Sequence, residues 1–185
     1  MATVRAVVVT LLIVALATLA YVYIGFYNVA ADTPHSAALR WLAETVRERS
    51  IAVRSIAVKV PELDSPALVA AGATEYAEMC EGCHLAPGVT DNEFRKGLYP
   101  MPPPLAAAEF ARDDSEATSA RRFWIIKHGI KLSSMPAWGM THDDNTIWTI
   151  VAFLRKLPEL KPDQYAQMTA HAAADHAEEG HDHVE

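Results

Sequence analysis

Cysteine is almost missing from this chain of 185 residues, and its two copies, Cys80 and Cys83, sit in one short motif. A disulfide framework spread along an exported domain is therefore excluded. A basic footprint is missing too: 16 Lys and Arg stand against 23 Asp and Glu, for a net charge of −7. No nucleic-acid partner is expected. No strand-like alternation of useful length and no internal repeat occurs, so the expected class is all-α. Charge itself is missing from the start of the chain. Between Arg5 and Asp32 there is none.

That uncharged stretch, Ala6 to Ala31, is dominated by Val, Leu, Ile and Ala, and ~20 such residues suffice to cross a bilayer core. Tyr21, Tyr23, Phe26 and Tyr27 gather at its far end, where aromatic rings favour the interface. A transmembrane anchor over 1–31 is expected. The competing reading is a cleaved signal peptide, whose apolar core is only ~7–15 residues long. Arg5 favours a cytoplasmic N-terminus, so either reading exports the rest to the periplasm of a bacterial inner membrane.

Four regions follow from the patterning. Residues 32–60 hold a helical repeat, with Leu39, Leu42, Val46, Val53 and Ile56 at three-, four- and seven-residue spacing and Arg and Glu between them. This predicts a juxtamembrane stalk helix on lipid headgroups or, alternatively, a docking helix for a membrane complex. Residues 61–162 form the main domain. Its first helix starts at Asp64-Ser65-Pro66 and ends near Met79. An irregular loop with five prolines spans 85–105. A second helix over Ser119–His128 ends at Gly129, and a third opens with a capping box of Thr141 and Asp144. Residues 163–185 read as a flexible acidic tail. The segment from Lys161 onward carries −5 of the net charge, leaving the body at −2.

Cys80-Glu81-Gly82-Cys83-His84 is C-x-x-C-H, the pattern of c-type haem attachment. Two thiols three positions apart can each add to one of the two haem vinyls, and the next residue projects an imidazole toward the iron. A thioredoxin-like pair would prefer a βαβ setting, and a structural zinc needs four ligands. Met135-Pro136 follows Ser133-Ser134 in a polar loop between helices, an odd place for a core-filling methionine. Its thioether is expected on the other face of the iron, an arrangement that raises the reduction potential. His128 and His142 are the alternative second ligands, and a peroxidase or gas-binding enzyme is the alternative function. Leu98, Tyr99, Met101, Leu105, Phe123, Ile126 and Leu132 are expected to wall the haem, with Trp124 against the porphyrin or the core. Lys127 and Lys131 are expected at its exposed rim.

Over about 61–160 the chain resembles the class I c-type cytochromes, in their single-haem, membrane-anchored bacterial branch. The resemblance rests on Gly72, Tyr76, Cys80, Cys83 and His84, and on Met135-Pro136-Ala137-Trp138. It implies a class I cytochrome c fold, three or more helices around one covalently bound haem c. It further implies that Gly72 lets the first and last helices cross closely, with Trp148 or Phe153 as the aromatic counterpart. Trp138 is implied as a partner of a haem propionate. His84 is expected to give its other ring N–H to a carbonyl, that of Pro87 or of one among Pro102 to Pro104. Together these readings predict a one-electron carrier rather than an enzyme. Its redox partners would be complexes such as a terminal oxidase or a dehydrogenase. His181-Asp182-His183 in the tail offers a weak second metal site, with His171 and His176 nearby.

Overall fold

A computed structural model describes residues 1–170, apart from the side chains of 111 and 112. The four tail histidines, including His181 and His183, lie outside the described residues. Met1–Pro34 forms one unit and the rest of the described chain, from His35, another. Among the described residues every element is helical.

In the first unit, α1 (Ala2–Tyr23) has a mean hydropathy of 2.4 and no buried residue, so it is long and apolar enough to cross a membrane. The second unit contains α2 (Ala37–Ser55), α3 (Pro66–Met79), α4 (Glu81–His84), α5 (Glu93–Lys96), α6 (Glu116–His128), α7 (Asp144–Lys156) and α8 (Pro162–Met168).

The core is the crossing of α3 and α7. A Cβ on Gly72 would collide with the backbone oxygen of Thr149 and stand 2.9 Å from Phe153 Cβ. Only glycine lets the two backbones approach this closely. Phe153, wholly buried, is the aromatic beside it and meets Tyr76 at 5.4 Å between ring centroids. Trp148 instead stacks on Phe123 of α6 at 4.0 Å. Ile147, Ile150, Val151 and Leu157 complete the layer.

The helix ends show where local signals compete. Ser65 stands at the start of α3 with Pro66 behind it, but its side chain caps nothing, and Asp64 pairs with Arg155 at 3.0 Å. The start expected for α6 at Ser119 lies earlier, where Ser115 Oγ accepts from Thr118 N. The capping box expected of Thr141 is not formed. Asp143 caps α7 by accepting from Thr146 N at 2.8 Å, while Thr141 Oγ1 donates to Trp138 O. A carboxylate is the stronger acceptor for a helix N-terminus.

Two boundaries also need correcting. The tail expected from residue 163 starts inside α8, whose Tyr165 is buried and donates to Glu81 Oε2 at 2.6 Å. The helix expected as a stalk packs along α6, burying Ile51 and Ser55 and pairing Glu48 with Arg121 at 2.6 Å. Its periodic apolar residues point outward: Leu42, Val46 and Val53 are exposed.

Candidate haem cleft

Helix α3 delivers Cys80 at its C-terminus, and the single turn α4 carries Cys83 and His84. The chain then reverses at Leu85, which takes a left-handed φ of 68° yet is almost wholly buried. This conformation disfavours a residue with a Cβ. Tyr76 Oη holds it by donating to Leu85 O at 2.7 Å within the core. Burial pushes the Tyr76 hydroxyl far above its ordinary pKa, so it stays a donor.

The proline-rich loop grips His84 at two points. His84 Nδ1 lies 2.8 Å from Pro103 O, and Leu105 N donates to His84 O at 3.1 Å. A carbonyl only accepts, so Nδ1 carries the proton in this bond and Nε2 keeps a free lone pair. Burial lowers the His84 pKa against the raising effect of the Pro103 bond, which favours the neutral imidazole that a metal requires.

Arg95 organises this loop, and the sequence reading missed it. Its side chain is buried, donating from Nε to Pro102 O at 2.8 Å and pairing with Asp91 at 3.0 Å. Asn92 caps the turn α5 and donates to Gly82 O at 2.9 Å. The signal was present as an Asp91–Arg95 i,i+4 pair beginning beside an Asn cap.

The methionine segment folds back on Gly129. At a φ of 63°, a Cβ there would lie 2.7 Å from the backbone of Met135 and Pro136. Ser133 Oγ donates to Ile130 O at 2.7 Å and accepts from Met135 N at 3.2 Å. A backbone bond from Ile130 N to Met135 O closes the loop.

Cys80, Cys83, His84, Met135 and Trp138 all border one cavity of about 620 Å³. Both cysteines are free thiols, and burial pushes the Cys80 pKa up to about 12, so that thiol is protonated. Met101, Leu105 and Ile126 line the cavity as expected. Leu132 does not, being wholly exposed at a φ of 58°. Phe123 lies under Trp148, Tyr99 Oη accepts from the backbone N–H of His35, and neither Leu98 nor Trp124 borders the cavity. His128 packs near Trp124, and His142 near Trp138; neither borders the cavity. Lys127 is tied to Asp144 at 2.5 Å, while Lys131 is exposed.

Residues 67–154 match the family model described as cytochrome C oxidase, cbb3-type, subunit III. This segment is a class I c-type cytochrome domain. No curated protein and no solved structure matches it. The cytochrome domain implies a haem and electron transfer rather than catalysis. The residues fit that group by their chemistry: two free thiols, one imidazole with Nε2 free, one thioether and a largely apolar cleft.

Proposed function

We propose that this chain is a membrane-anchored, periplasmic single-haem cytochrome c that passes one electron at a time. The observation that carries the reading is the convergence of Cys80, Cys83, His84 and Met135 on one cavity. Cys80 and Cys83 would hold the haem by thioether bonds, and His84 Nε2 and the Met135 sulfur would ligate its iron. Bound there, the group supplies a reversible one-electron couple at iron.

The protein's residues do the rest. The Pro103 carbonyl fixes the His84 ring, and Arg95 fixes the loop that brings Pro103. The Ser133 clasp holds the Met135 backbone. Ligation by both His84 and Met135 would leave the iron without a free position for a substrate. Trp138, on the cavity wall, is a candidate propionate partner. The apolar α1 supports a single-pass inner-membrane anchor. The exposed stripe of α2 supports a face that meets lipid headgroups. The matched family is named for an oxidase subunit, so a terminal oxidase is the favoured redox partner.

The test is expression of the full chain in a bacterium that matures c-type cytochromes. Haem should stay on the polypeptide through denaturing electrophoresis of the membrane fraction. Cys80→Ser combined with Cys83→Ser should abolish that stain. A haem-free native chain would refute the reading.

A further inference from the structure

The haem cavity has a wall beyond the family-matched segment. Glu44, Arg47, Glu48 and Ile51 of α2 border it, although the match begins at residue 67. The wall is fastened: Ile51 is 2% exposed, and Glu48 binds one guanidinium from each helix. Its Oε2 accepts from Arg121 Nη2 at 2.6 Å, and its Oε1 accepts from Arg47 Nε at 3.0 Å.

The cavity is electrically lopsided. The charged side chains that border it come from α2, from the segment around 109–113 and from α6. The segments that carry Cys80, Cys83, His84 and Met135 add no acid, lysine or arginine to its lining. A haem shares this asymmetry. Its vinyl edge is the one that thiols attach, and its two propionates leave the far edge. Planar guanidinium groups match carboxylates with paired hydrogen bonds. Arg122 is the third cation at the cavity, held to the 110–114 segment rather than to α2, with Nη2 donating to Phe110 O at 3.0 Å and Nη1 facing Asp114 at 3.8 Å. Arg122 Nη1 is also buried without a hydrogen bond.

We propose that Arg47 and Arg121, braced by Glu48, bind the haem propionates, making α2 a built part of the haem site. This rests on the haem reading given above. Arg47 enters from the helix that follows the membrane span in sequence, so this helix would help set the potential of the iron. A cation near the haem favours the ferrous state, and an anion opposes it.

The test is a spectroelectrochemical titration of the full-length, haem-loaded protein in detergent. Arg47→Gln and Arg121→Gln should each lower the midpoint potential, weakening the reduction equilibrium ~3–10-fold. Glu48→Gln should raise it. Arg47→Lys should keep most of the native value, and Arg49→Gln on the exposed side of α2 should leave it unchanged. A merely structural role would move the arginine and glutamate variants in the same direction, which would overturn the proposal. So would arginine variants that titrate with Arg49→Gln. A native chain without covalent haem would instead sink the function reading itself.

Discussion

The family-matched segment and the helices that flank it are held by different forces. Between α3 and α7 the contact is steric: Gly72 against Thr149, Phe153 against Tyr76, with no charge between them. The flanks are clasped by polar groups around one or two buried residues. In α2 these are Ile51 and Ser55 with the Glu48–Arg121 pair, and in α8 they are Tyr165 and its bond to Glu81. A close-packed crossing has no slack, so it tolerates little change. A clasp can lose one member and remain docked.

The largest effect should come from the crossing. Gly72→Val has no room for its side chain and should abolish the folded, haem-loaded protein. Gly72→Ala should cost about 3 kcal/mol or more by urea unfolding. If Gly72→Ala unfolds like the native chain, the steric account of the core is wrong. Tyr165→Phe should cost only about 1–2 kcal/mol, because Glu81 stays half-exposed to water. A loss as large as that of Gly72→Ala would erase the contrast between core and flank.

The smallest effect lies at the start of α6. Hydrogen bonds from Ser115 and Thr118 hold the Asp113 carboxyl at about 2, below its ordinary 3.8. A depressed pKa stabilises the fold above the ordinary value, and that stability fades as pH falls through about 2. Asp113→Asn should therefore flatten the acid limb of a stability–pH curve between those values and leave the neutral plateau slightly lower. An unchanged acid limb would remove Asp113 from the account.

The same division explains what could be read in advance. Cys80, Cys83 and His84 were legible as candidates because the attachment and ligation proposed for them require fixed local spacing. Met135 was singled out by its Pro and Ser neighbours, and it borders the cavity while also packing against the core. Gly72 and Tyr76 came through the family resemblance, and the structure supplies their reasons. The flanks were misread because their attachments are long-range. Glu48 and Arg121 lie far apart in sequence, and Tyr165 sits in what composition marks as tail. In α2 the apolar periodicity gave the helix correctly but not its packing along α6. Leu42, Val46 and Val53 point outward, while the charged side meets the cavity. Leu132 failed as a wall because hydrophobicity says nothing about a left-handed turn that turns a side chain to solvent.

The ligand pair at the iron is the centre of the account, and near-infrared magnetic circular dichroism of the oxidised full-length protein reads it directly. The predicted spectrum is low-spin with the sulfur-to-iron charge-transfer band of His/Met coordination, lost in Met135→Ala. A high-spin or bis-imidazole spectrum from the native chain would contradict it.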